Sequence, residues 1–323
     1  MGKPTLAIYW AGSCGGCDIA ILDIEAHILD VAAAFDIVLW PVATDFKYKD
    51  VERLPDASID LCLFNGAIRT TENEHLAELL RRKSKVLVAF GSCAHEGCVL
   101  GLANAFTRDE IFARVFLETP SVDNPDGVLP RTRVAVPEGE LELPDFLDRL
   151  KTLDQVVDVD YTIPGCPPQP HQIWAVLETI VQGKPLPPKG SILGAGEKTC
   201  CEECSLAREE KKLRRFVRPH EVVPEEGRCL LDQGIVCMGP ATRSGCGALC
   251  PKVGMPCRGC YGPPPNVRDQ GAKMVSALAS VIDSQDPDEI DRIVGELDDV
   301  VGTLHRFSYA VCHGAGDGGR AGG

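Results

Sequence analysis

Long apolar runs are missing from this chain. No stretch of about 18 consecutive apolar residues occurs in its 323 residues, so nothing in it reads as a membrane span. Positive charge is also scarce. The 47 acidic residues outnumber the 33 basic ones and the formal net charge is −14, which excludes the positive surface that nucleic acids require. The N-terminus MGKPTLAIYWAG has Lys3 as its only charge, no long apolar core and no arginine pair, so it reads as the start of a strand rather than a secretion signal. There is no Walker loop, no Rossmann glycine fingerprint between a strand and a helix, and no H-E-x-x-H. Apolar residues at 44% and charged residues at 25% exclude a disordered or fibrous chain.

Cysteine, by contrast, is abundant, with 16 residues. Disulfides need an oxidising compartment. Without a secretion signal, the reading is a cytosolic, reduced protein whose cysteines bind metal. The length fits two domains.

The first half alternates strand and helix signals. Thr5 to Trp10, Asp36 to Val42, Ile59 to Phe64, Lys85 to Phe90 and Val156 to Ile163 read as strands. Helices are expected over 18–33, 72–82, near 108–117 and over 170–182, with a short one near 144–151 in an acidic, proline-rich excursion. Near-continuous apolar strands separated by helices predict a doubly wound parallel sheet covered on both faces, with a flavodoxin-like order, over 1–183. KPLPPKG (184–190) opens a second region. Residues 191–270 hold nine of the sixteen cysteines and little periodicity, so inorganic cross-links are expected to hold them. Two helices are expected over 271–310. The second is capped by Asp286 and Pro287, with an apolar stripe from Ile290 to Leu304 and a solvated acidic face. Residues 311–323 are expected to be a disordered tail.

In open parallel sheets, ligands sit outside the carboxyl ends of the strands. Cys14 and Cys17 follow the first strand, Cys93 the fourth and Cys166 the fifth. Loops remote in sequence therefore converge, and four thiolates meeting there suit a [4Fe–4S] cluster. Gly12, Gly15, Gly16, Gly91 and Gly165 let backbone approach it closely, while Pro164, Pro167 and Pro168 stiffen the last loop. A redox C-x-x-C pair would leave Cys93 and Cys166 without a role, and a zinc site is the other alternative. Cys62 reads as core, Cys98 as near enough to touch the cluster surroundings, and Cys312 as an incidental thiol. His95 and Glu96 are either a proton relay or a plain hydrogen-bonded pair.

Eight further cysteines suit two cubane clusters. Cys201, Cys204, Cys229 and Cys237 are assigned to one, and Cys246, Cys250, Cys257 and Cys260 to the other, leaving Cys200 spare. The partition stays open, because two-cluster domains can interleave their ligands. A zinc ribbon from Cys201, Cys204, Cys257 and Cys260 competes, but its 52-residue spacer is long and strands five cysteines. The basic run Lys211, Lys212, Arg214, Arg215 and Arg218 is either an interface for an acidic partner or a solvated helix face.

AGSCGGCD, NGAIRTTENEH, GSCAHEGC and PGCPPQP, in this order, resemble the small subunit of a [NiFe] hydrogenase, whose fold is shared with a complex I subunit. The segment from CEEC to CRGCYGP resembles the cytosolic methyl-viologen-reducing (F420-non-reducing) group that pairs with heterodisulfide reductase, and its F420-reducing relatives. The resemblance runs from residue 4 to about 308. It implies three [4Fe–4S] clusters: a proximal one on Cys14, Cys17, Cys93 and Cys166, a medial one on Cys246, Cys250, Cys257 and Cys260, and a distal one on Cys201, Cys204, Cys229 and Cys237. It implies no catalytic residue on this chain, a Ni–Fe site on a separate large subunit contacted by Gly66 to His75, and an iron–sulfur or flavin acceptor subunit. Periplasmic relatives carry His where Cys201 stands and Pro where Cys250 stands, so the resemblance implies lower potentials here. They also carry Glu where this chain has Ser13, which removes any proton route borrowed from them. Two other readings are a quinone-reducing complex I-like module, which leaves the later cysteines without a role, and a stand-alone iron–sulfur or zinc protein.

Overall fold

The computed structural model describes residues 2–209 and 213–312. Its described residues contain the strands β1 (Thr5–Trp10), β2 (Asp36–Leu39), β3 (Ile59–Asn65), β4 (Ile68–Thr70), β5 (Ser84–Phe90), β6 (Arg133–Val136), β7 (Gly139–Glu142), β8 (Phe146–Lys151) and β9 (Tyr161–Ile163). Five of them form one parallel sheet in the order β2-β1-β3-β5-β9. Counted within the sheet this is 2-1-3-4-5, the flavodoxin-like order.

Both faces of the sheet are covered, which is why its strands are apolar without alternation. Leu6, Ile8, Leu61, Leu63, Val88 and Phe90 pack on one side with Ile21, Val31, Ile173 and Leu177. Their chain neighbours Ala7, Tyr9, Cys62, Phe64, Leu87 and Ala89 pack on the other with Leu76, Leu79 and Leu80. Burying a side chain such as Phe64 or Leu80 contributes about 1.5–3 kcal/mol. Cys62 is core, as its place in a strand implies.

Several element boundaries differ from expectation. The helix over 18–33 is two, Gly16–Leu22 and His27–Ala34, separated by a turn with Glu25 at φ 59°. The break lets both pieces pack on Pro170–Val181, where the His27 ring stacks on Trp174 at 4.1 Å. The expected helix at 144–151 is strand β8, paired antiparallel with β4. Its spacing of Phe146, Leu147 and Leu150 suits a helix equally well, and the free edge of β4 decides the outcome. The strand expected from Val156 shrinks to Tyr161–Ile163. The Asp160 carboxylate accepts from the Leu87 amide (2.8 Å) and Arg81 (2.7 Å), taking a place that the ladder would have filled.

The cysteine-rich region does bury apolar side chains, with partners drawn from further along the chain. Leu213, Phe216, Leu230, Ile235 and Met238 pack with Met274, Leu278, Ile293 and Leu304 in one cluster that draws on both sides of residue 270. The two expected closing helices are four short ones, Gln270–Ala279, Pro287–Val294, Val300–Leu304 and Tyr309–Cys312. Gly295 ends the second, and the Asp299 carboxylate caps the third by accepting from the Gly302 amide at 2.7 Å. Val311 and Cys312 thus belong to a helical turn rather than a tail, and residues 313–323 lie outside the described residues. The basic run forms no helix in its described part. Arg214 pairs with Asp283 (3.2 Å) and Arg218 with Asp298 (2.8 Å), while Lys211 and Lys212 lie outside the described residues.

Candidate functional site

The parallel sheet aims the ends of β1, β5 and β9 at one edge. The turn after β1 carries Cys14 and Cys17, and two backbone bonds tie it to the β3–β4 turn (Gly12 N to Ala67 O, 3.0 Å; Ala67 N to Gly12 O, 2.9 Å). The turn after β5 carries Cys93. It is joined to the Cys166 loop by Gly91 N to Ile163 O and Ser92 N to Gly165 O, both 2.8 Å. Cys17 and Cys93 are buried, whereas Cys14 and Cys166 face outward. Gly91, at φ 84°, is a requirement of this arrangement: a Cβ there would lie 2.4 Å from the Cys17 sulfur.

Burial, then the neighbouring Cys166 and Cys14 thiols, push the Cys17 thiol far above its ordinary range. Cys166 is raised as well, first by its hydrogen bond with Cys98 and then by burial. Crowded, desolvated thiols of this kind keep their protons until a metal displaces them. Soft sulfur donors converging from three loops, with a glycine at the closest approach, fit an iron–sulfur cluster. Cys98 lies deeper in this site than its sequence position indicates. Its sulfur is 3.6 Å from that of Cys166.

The second region forms two further thiol sets. Cys201, Cys204, Cys229 and Cys237 line one cavity together with Cys200 and Arg208. A Cβ at Gly239 would come within 2.8 Å of the Cys201 sulfur, so glycine is needed there too. The other set is Cys246, Cys250, Cys257 and Cys260: Cys250 and Cys260 are each raised first by burial and then by the neighbouring Cys257 thiol, with Cys246 also close to both. Cys200 is buried beside Cys246 and Cys257; its thiol is hydrogen-bonded to both and holds both below the ordinary thiol range. The loops that carry the three sets touch in series. The Ser92 hydroxyl, beside Cys93, reaches the Cys260 carbonyl at 3.1 Å, and the Cys257 amide donates to the Cys237 sulfur at 3.3 Å.

Residues that sequence reasoning missed hold these loops. Asp18 is 3% exposed and accepts from Trp40 Nε1 (3.0 Å) and Asn65 Nδ2 (2.7 Å), anchoring the helix that carries Cys17. A carboxylate directly after C-x-x-C in an otherwise apolar stretch was the available signal. Glu203 accepts from the Gly245 (2.9 Å) and Ala248 (3.2 Å) amides, so the Cys201/Cys204 turn shapes the Cys246 loop. Glu203→Ala is expected to cost about 1–3 kcal/mol, since it leaves both amides without their acceptor. It should also speed loss of iron to a chelator, and Glu203→Gln should lose less. Thermal unfolding and chelation rates check this. Glu96, raised to about 8 by burial, takes a 3.1 Å bond from Ser92 and lies against Gly262. The same hydroxyl lies 3.1 Å from the Cys260 carbonyl, so its single hydrogen is shared between the two acceptors.

Comparison with known proteins agrees with this architecture. The family model for the NADH ubiquinone oxidoreductase 20 kDa subunit matches residues 14–180. The iron–sulfur subunit of the F420-non-reducing hydrogenase of Archaeoglobus profundus is 43% identical over 94% of this chain and 95% of its own length. The corresponding F420-non-reducing hydrogenase subunit of Methanothermobacter marburgensis is 36% identical over 95% of this chain and 94% of its own. A solved chain of an NAD+-reducing [NiFe]-hydrogenase aligns with a TM-score of 0.49 and 27% identity, over 58% of this chain and 96% of its own. No helix among the described residues is long and apolar enough to cross a membrane. The chain belongs to the family of these F420-non-reducing hydrogenase subunits, and so is an iron–sulfur subunit of a hydrogenase.

Proposed function

We propose that this chain is the electron-relaying small subunit of a cytoplasmic [NiFe] hydrogenase, with Cys14, Cys17, Cys93 and Cys166 as proximal ligands, Cys246, Cys250, Cys257 and Cys260 as medial ligands, and Cys201, Cys204, Cys229 and Cys237 as distal ligands. When bound, three [4Fe–4S] clusters would supply one-electron transfer between a Ni–Fe site on a partner large subunit and a heterodisulfide reductase-type or F420-type acceptor subunit. The observation that carries this reading is the serial linkage of the thiol-bearing loops, Ser92 beside Cys93 to the Cys260 carbonyl and the Cys257 amide to the Cys237 sulfur. This chain's own residues do the positioning. Asp18 and Glu203 fix the loops, the buried thiols of Cys17, Cys93, Cys237 and Cys257 sit out of water, and Gly91 and Gly239 leave room at the sulfurs.

A quinone-reducing role fits the residues matched by the 20 kDa subunit family, but it leaves the two later thiol sets without a task. The test is iron, acid-labile sulfide, nickel and zinc on the complex purified anaerobically through this chain. About 12 iron and 12 sulfide per copy from this subunit, with nickel on a co-purifying chain, is the expected result. Zinc in place of iron at these sites overturns it, and iron without nickel removes the hydrogenase partner.

A further inference from the structure

One cysteine stands apart from the three thiol sets. Cys312 ends the helical turn Tyr309–Cys312, and its sulfur sits beside Asp269 and His305. The three come from separate segments. Asp269 caps the helix Gln270–Ala279 by accepting from the Ala272 amide at 2.8 Å. His305 closes Val300–Leu304, and its ring lies directly on Gly271, where a Cβ would come within 2.2 Å of Cε1. Burial, then the neighbouring Asp269 carboxylate, raises the Cys312 thiol above its ordinary range. One nitrogen, one oxygen and one sulfur donor thus lie within 4.8 Å of one another, and His305 Nδ1 is 3.6 Å from Asp269 Oδ1.

We propose that Asp269, His305 and Cys312 form a zinc-binding site. Zinc takes this mixture of donors at bond lengths of about 2.0–2.3 Å, which places tetrahedral ligands about 3.3–3.8 Å apart. The observed pair is already close to that spacing, and rotation of the Cys312 side chain brings in the third donor. Asp269 and His305 are 36% and 14% exposed at their side chains, so the ion has a way in and water supplies the fourth ligand. Binding displaces the thiol proton into solvent. A single thiolate excludes an iron–sulfur cluster here, which takes about four.

The site would act as a clip. Ala310, inside the Tyr309–Cys312 turn, packs so tightly on Gly97 and Gly101 that a Cβ on either would come within about 3 Å of its own. Gln155 Nε2 donates to the Ala310 carbonyl at 3.3 Å. An ion at Cys312 therefore pins the C-terminal turn against the loop that carries Cys93 and Cys98.

The test is zinc analysis of the intact complex, equilibrated with excess Zn2+ and freed of unbound ion, with iron measured on the same samples. About one zinc per chain is expected in the parent protein. Cys312→Ala and His305→Gln should each abolish it with iron unchanged. Asp269→Asn keeps a helix-capping side chain but should weaken zinc retention against a competing chelator at least tenfold. No zinc in the parent protein, or zinc undiminished in both Cys312→Ala and His305→Gln, overturns the proposal. Because iron is read separately, failure here leaves the cluster assignments untouched.

Discussion

Cys17→Ser is expected to remove about four iron atoms per chain and to bring H2-dependent dye reduction by the complex to background. Cys17 is the most enclosed of the four sheet-edge thiols, at 7% exposure, and is wedged against Gly91. A serine oxygen is a harder donor than sulfur, and an outer-sphere partner alone is worth about 10–100-fold in metal affinity or activity. Loss of a direct ligand should exceed that. Cys166→Ser makes a less clean experiment, because the Cys98 sulfur lies only 3.6 Å from that of Cys166 and is placed to substitute for it. The double variant Cys98→Ala/Cys166→Ser should therefore lose more iron than Cys166→Ser alone. Full dye reduction by the Cys17 variant would contradict the proximal ligand set.

Gly91→Ala should be nearly as damaging without touching a ligand. Residue 91 sits at φ 84° and ψ 165°, a region left essentially to glycine, where a side chain costs about 1–3 kcal/mol. The larger effect is displacement, since the new methyl group would lie 2.4 Å from the Cys17 sulfur. Proximal iron is expected to fall while far-UV circular dichroism stays close to the parent. Gly183→Ala is the control. It too has a positive φ, 65°, but nothing lies within 4 Å of the added carbon. It should lose at most about 1–2 kcal/mol of stability and no iron. Equal iron loss in both variants would show that backbone strain, not access to the sulfur, is what matters at Gly91.

The sheet was legible in the sequence because a parallel sheet buried on both faces writes long apolar runs, and β1, β3 and β5 lie where those runs fall. The convergence of Cys14, Cys17, Cys93 and Cys166 followed from topology alone. Phe146 to Lys151 misled because three apolar residues at spacings of one and four serve either a helix or a strand. The edge that chooses between them belongs to Ile68–Thr70, remote in sequence and adjacent only once the sheet has formed. The single helix expected up to Leu304 failed on a local feature, Gly295 followed by the Asp299 cap, which sequence periodicity passes over. Glu203 was not legible because its role depends on which amides the fold points at it, whereas Asp18 left a signal in its place after C-x-x-C. Cys312 read as incidental because its neighbours Asp269 and His305 gather only when the closing helices fold back.

The packing of Ala310 on Gly97 and Gly101 also bears on the order of assembly. Chains grow from the N-terminus at about 5–20 residues per second, and the first-made units fold first. All four sheet-edge thiols are in place once Cys166 has been made, while the residues that cover their surroundings, Cys260 and Ala310, are still to come. Roughly seven to thirty seconds separate Cys166 from Ala310 at that rate. The sheet edge is therefore presented to the cell's iron-delivery machinery before the Tyr309–Cys312 turn closes over it.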